Sequence, residues 1–143
     1  FTVACFRRCV PWATLGLDNP ALRDAAGEAF STPLDASASA GTRRNLWSEK
    51  LLDAGKHPFI IVQGEVSADA PGEVPLRITF TVRDIRTTEL YRSRIAVSNQ
   101  RVTANGQLTL RQSGLGLEPY SALFGALLVR DELEIRYSLV AQR

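Results

Sequence analysis

The chain has 143 residues, 45% of them hydrophobic, which suits one domain over residues 1–143 that builds its own core without disulfide or metal staples. Seventeen Lys and Arg against fifteen Asp and Glu leave a net charge of +2, and the charges alternate along strand-like segments, so there is no electrostatic footprint for nucleic acid. No apolar run reaches the roughly 18 residues of a membrane-spanning helix, and the first residues lack the charged-then-apolar layout of a signal peptide. With no initiator Met, Phe1 is expected to begin a processed chain or a fragment.

Residues 1 to 10 mix Val3, Cys5 and Phe6 with Arg7 and Arg8 and read as a strand that Pro11 ends. Four apart on a strand, Cys5 and Cys9 would point to one side about 13 Å from each other. That exceeds the roughly 7 Å Cα limit of a disulfide, and both are expected to be free. Asn19 stands as an N-cap with Pro20 at the first helical position, followed by an Ala and Leu stripe that ends near Phe30 and is interrupted by Gly27. Residues 31 to 41 are small and polar and read as an edge strand or loop. Thr42 can cap a helix through Lys56, with Gly55 as its stop before Pro58.

From Phe59 the period changes. Phe59 to Val62 is apolar on both faces and alternation resumes to Val66, giving a strand that starts buried and ends half-exposed. Asp69 to Gly72 is a turn. Leu76, Ile78, Phe80 and Val82 alternate with Arg77, Thr79, Thr81 and Arg83, and Arg86 to Thr88 is expected to make the reversal into Tyr91, Ser93, Ile95 and Val97. Ser98 to Gln100 turns into Val102, Ala104, Gly106, Leu108 and Leu110. After the Gly-punctuated bend from Ser113 to Pro119, a last strand carries Leu133, Ile135, Tyr137 and Leu139 against Glu132, Glu134, Arg136 and Ser138. Five strong strands, each with one apolar and one polar face, predict a mainly β domain, an antiparallel barrel with one or two short helices. Ile78, Phe80, Leu108, Leu110, Ile135 and Tyr137 should point inward, and Arg77, Thr79, Thr109, Glu134 and Arg136 should be exposed.

Catalytic readings find little support. His57 is the one histidine and sits at a helix-to-strand junction, where a partly exposed loop residue is the expectation, without the cleft and orienting partner of a catalytic base. Glu132 and Glu134 share the polar face of one strand, which favours a solvated surface over an acid/base pair. Gly114 to Leu117 lacks the following helix and Lys of a phosphate loop. No metal set is expected, since Cys5 and Cys9 would need further ligands. The inward faces are either a filled core or the lining of a ligand tunnel, because eight strands leave room for side chains or one slim ligand. Residue physics alone ranks the filled core first.

Four segments in order carry a resemblance: Glu49 to Ile60, Thr81 to Thr88, Gly106 to Leu117 and Leu127 to Ile135. Over about residues 42 to 141 the chain resembles the YceI-like proteins. The resemblance implies an eight-stranded, lipocalin-like barrel of the bacterial periplasm or a secreted setting, no enzyme activity and no cofactor, and an isoprenoid or quinone-like lipid as ligand. Its lining would be Ile78, Phe80, Val82, Ala104, Leu108, Leu110, Leu133, Ile135 and Tyr137. It reverses the order of the two readings, and the alternative is a barrel-shaped protein-interaction module with a filled core. Two departures stand out. The strands that precede Phe1 to Val10 in the family are missing, which predicts a bare sheet edge open to pairing with another chain, as in a homo-oligomer, or with residues upstream of Phe1. Gly114-Leu115 replaces a favoured aromatic, which predicts a looser corner.

Overall fold

Alternating apolar residues build six long antiparallel strands. The computed structural model describes residues 2–28, 32–68, 72–98 and 101–142. The strands are β1 (Thr2–Pro11), β2 (Phe59–Ala68), β3 (Gly72–Val82), β4 (Ile85–Ser98), β5 (Arg101–Arg111) and, after a minor hairpin of β6 (Ser121–Ala122) and β7 (Leu127–Leu128), β8 (Glu132–Gln142). They pair in the order β1-β2-β3-β4-β5-β8 as one curled half-barrel sheet, with β1 and β8 as its edges. Where the resemblance implies eight long strands, the described residues form six, with β1 and β8 unpaired on their outer sides among those residues.

Several boundaries differ from the sequence expectation. The reversal lies at Arg83-Asp84, with Val82 paired to Ile85, and not at Arg86 to Thr88. Arg83 takes the left-handed conformation (φ 55) that lets a two-residue loop close. The β-branched Thr87 and Thr88 stay in β4, where Thr88 Oγ1 meets Thr79 Oγ1 at 2.9 Å. That pair also explains why Thr79, expected in water, is only 9% exposed.

Two helices precede β2. In α1 (Pro20–Ala26) the Asn19 carboxamide accepts from the Ala21 and Leu22 amides, as its sequence suggests, and Gly27 at φ 98 stops the helix. The predicted end near Phe30 lies outside the described residues. Leu22 is 70% exposed, so the stripe of α1 is not core. The second helix, α2 (Ala36–Trp47), replaces the expected edge strand or loop. Asp35 caps it by accepting from the Ala38 amide at 2.7 Å, and Ala-rich sequence supplies good helix formers. Thr42 is consequently interior, its hydroxyl bonded to the Ala38 carbonyl at 2.9 Å, and the helix stops at Trp47 instead of Lys56. Leu51, Leu52 and a left-handed Asp53 (φ 45) follow in tight turns.

Those turns close one end of the half-barrel. Leu52 is buried against the sheet, with Leu46, Trp47 and Leu51 packed beside it. Arg83 donates to the Leu51 carbonyl at 3.3 Å, and the Trp12 indole donates to the His57 carbonyl at 2.9 Å. From the other side Leu115 and Leu117 join the same cluster. The corner expected to be loose is therefore tied down. Ser113 donates through its amide and hydroxyl to Asp131 at 2.7 and 2.6 Å, and the Gln112 side chain donates to the Arg130 carbonyl at 2.7 Å. Gly116 is required here: its φ is 69, and a Cβ would sit 2.6 Å from Ile85 Cδ1.

Candidate functional site

Register determines which side chains share the concave face. Val62, Gly64 and Val66 on β2 lie opposite Phe80, Ile78 and Leu76 on β3, which lie opposite Thr87, Glu89 and Tyr91 on β4. Further along, Ile95 opposes Ala104, and Ala104, Gly106, Leu108 and Leu110 on β5 oppose Leu139, Tyr137, Ile135 and Leu133 on β8. Directly opposed residues point to one face, so all nine residues assigned as lining from the sequence share it. Arg8 and Glu89 are the charged residues that pairing places there, and both are exposed.

Burial divides the nine. Ile78, Phe80, Val82, Leu108 and Leu110 are 1–4% exposed and pack together as a solid floor with Leu76, Leu115 and Leu117. Ala104, Ile135 and Tyr137 are half-buried, and Leu133 is 38% exposed. Toward the end that carries the 98–101 connection the face opens further, with Val102 half-buried and Val97 56% exposed. Among the described residues the concave face is thus closed at one end and in its middle, and open at the other end and along β8.

Two glycines shape this face. A Cβ on Gly64 would overlap the Phe6 ring, and one on Gly106 would overlap the Tyr137 ring, so each aromatic lies flat across the glycine of the neighbouring strand. The sequence pattern placed Gly106 inward as a small residue, and its space is taken by Tyr137. The Tyr137 hydroxyl is buried without a hydrogen-bond partner among the described residues.

The sheet also splits. The β4–β5 ladder covers only Arg94–Ser98 against Arg101–Asn105. Beyond it, side chains replace backbone bonds: Ser93 donates to the Asn105 carbonyl and Tyr91 to the Thr109 carbonyl, both at 3.3 Å, and Thr87 to the Gly114 carbonyl at 2.6 Å. Burial pushes the Tyr91 phenol above its ordinary value and the nearby Glu89 charge adds to it, so at neutral pH Tyr91 remains a donor. Hydroxyl residues on an inward face are the signal that could have revealed this seam. Ser113, which holds the turn beside it, lay in the stretch read only as a bend, and its partner Asp131 lay in a segment that carried only the resemblance.

Among the described residues, those weighed as catalytic lie off the apolar face. His57 Nε2 lies 3.8 Å from the exposed Asp84 carboxylate, and Cys5 and Cys9 are exposed free thiols on the edge strand. Two surface depressions, about 390 and 380 Å³, are lined by Arg111, Arg130, Asp131 and Glu132, and by Pro11, Trp12, Trp47, Pro58 and Phe59 among others. Neither includes a residue of the nine.

Comparison with known proteins places the fold. No protein-family model and no curated protein sequence matches the chain. Among solved structures, Burkholderia cenocepacia BcnA superposes with a TM-score of 0.58 at 15% identity, over 72% of this chain and 65% of that one. A mutant CJ YceI protein with a monobromobimane guest does so with a TM-score of 0.58 at 9% identity, over 73% and 63%. The chain spans less than two thirds of the length of these structures. The likeness is one of fold, and the half-barrel is that of the YceI-like structures.

Proposed function

We propose that this half-barrel of YceI-like fold binds or carries a long apolar chain, of isoprenoid or quinone-like character, on its concave face and performs no catalysis. The observation that supports this most is the graded exposure of one continuous apolar face. Ile78, Phe80, Val82, Leu108 and Leu110 form a packed floor, and Ala104, Leu133, Ile135 and Tyr137 offer contact surface above it. With two exposed charges on the face, affinity comes from area. Covering a few hundred Å² of apolar surface at about 25 cal/mol per Å² contributes several kcal/mol before ordering costs. The same likeness supports a bacterial periplasmic or secreted setting, and the sheet edges, unpaired among the described residues, leave room for a second copy or for residues upstream of Phe1.

Organic extraction of gently purified protein followed by lipid mass spectrometry tests this reading. A retained long-chain lipid in the parent, lost in Ala104→Trp and kept in the outward Thr109→Lys, is the expected result. A lipid that persists in a folded Ala104→Trp variant lies elsewhere. A parent that never carries lipid, together with a stable protein partner, favours an interaction module with a filled core.

A further inference from the structure

We propose that the short hairpin of β6 and β7 docks the protein on a phospholipid bilayer, with Phe124 at its tip entering the apolar layer just below the headgroups. The hairpin is a two-stranded sheet of its own, separate from the six-stranded one. Its tip is made by two successive residues of positive φ, Phe124 (φ 55) and Gly125 (φ 91). Tight reversals of this kind favour Asn-Gly, because Asn and Gly tolerate the left-handed conformation and a bulky side chain there meets a steric penalty. Phe124 bears that penalty and is also fully exposed, at 113%. Gly would remove both costs, so the fold alone gives no reason for a ring at this position.

Apolar side chains stand on both faces of the hairpin as well. Tyr120 and Val129, joined by a 2.9 Å bond from the Val129 amide to the Tyr120 carbonyl, are each 47% exposed. The next pair, Ser121 and Leu128, turns to the opposite face, where Leu128 is 70% exposed. A protein partner would cover one face of so narrow a ribbon and leave the other in water. A bilayer interface surrounds what is inserted into it, and so covers both faces and the tip together. Tyr120, at the base, suits the headgroup level, with its ring in the apolar layer and its hydroxyl in water.

The charges near the base nearly cancel. Arg111 lies 3.6 Å from Glu132, the Asp131 carboxylate accepts from Ser113, and the exposed Glu118 and Arg130 flank the hairpin on its two sides. Binding therefore comes from apolar area and not from attraction to anionic lipid, and it should depend little on salt. The features that carry it lie within residues 118–132. A strand laid along the outer side of β8 would pair with Glu132–Gln142, beyond the end of the hairpin. The contact is separate from whatever the concave face binds.

Cosedimentation with phosphatidylcholine vesicles tests the contact on the parent, Phe124→Gly, Phe124→Trp and Leu90→Ala, with urea denaturation to check that each is folded. The parent should sediment with the vesicles. Phe124→Gly should be at least as stable, since Gly suits the turn, yet bind about tenfold more weakly or less, because the ring is no longer transferred to an apolar medium. Phe124→Trp should keep binding, and its emission should shift to the blue on adding vesicles by more than that of the parent. Leu90→Ala removes a 66% exposed side chain from the outer face of β4 and should bind as the parent does. A parent that stays in the supernatant, a Phe124→Gly variant that binds like the parent, a Phe124→Trp emission that does not respond, or an equal loss in Leu90→Ala would overturn the proposal. Self-association that depends on Phe124, without vesicle binding, would make the tip a contact between copies and equally overturn it.

Discussion

The two ends of the half-barrel are made from the same alternating strands yet are finished differently. At the end near Val82 and Leu110 the floor is covered by Leu52, Leu115 and Leu117, and Trp12 and Trp47 pack against it. At the other, Val97 and Val102 continue the apolar row, Val102 half-buried and Val97 56% exposed. Strand alternation specifies only which side of the sheet is apolar; segments outside the strands decide how much of that side becomes core. The closed end is where stability should concentrate, and the open end and the β8 rim are where a ligand has surface to use.

The largest effect should come from hollowing the closed end. Phe80→Ala removes a nearly fully buried ring and should cost about 3–5 kcal/mol, whereas Val97→Ala at the open end should cost less than about 1 kcal/mol. Urea denaturation of both variants checks the contrast, and equal losses would erase the distinction between the ends. Next, Gly106→Ala should cost about 1–3 kcal/mol, because its Cβ displaces the Tyr137 ring. Truncating that ring in Gly106→Ala/Tyr137→Ala should make the glycine change itself cheaper, which a double-mutant cycle measures.

Smaller effects follow. Tyr137→Phe deletes a buried hydroxyl without a partner among the described residues and should be neutral or stabilising by up to about 1 kcal/mol, read from the urea midpoint. At the closed end the side-chain and backbone hydrogen bonds from Ser113 hold the Asp131 carboxyl below its ordinary value, with Arg111 helping. A carboxyl depressed in the folded state contributes stability that is fully present above its unfolded value, about pH 4, and lost as pH falls through the folded one. Stability should therefore drop in acid below about pH 4, and Asp131→Asn should flatten that part of the pH profile. A profile unchanged by the substitution would mean that this corner contributes nothing to closing the end.

Much of the fold was legible because strand alternation is a local property. Period two in Leu76 to Val82, Val102 to Leu110 and Leu133 to Leu139 identified the strands, their inward faces and the shared side of the nine residues expected as lining, since one face must be apolar wherever a core exists. The Asn19 cap and the end of β1 at Pro11 were equally local. What the sequence did not determine depends on contacts far along the chain. The reversal moved to Arg83-Asp84 because Thr79 and Thr88 pair across strands. Leu115 and Leu117, read as parts of a bend, became core because the split between β4 and β5 receives them, and Tyr137 filled the space above Gly106. Which inward residues form a sealed floor and which remain a rim followed from the curl of the sheet and the segments that cover it, and no run of neighbouring residues encodes that.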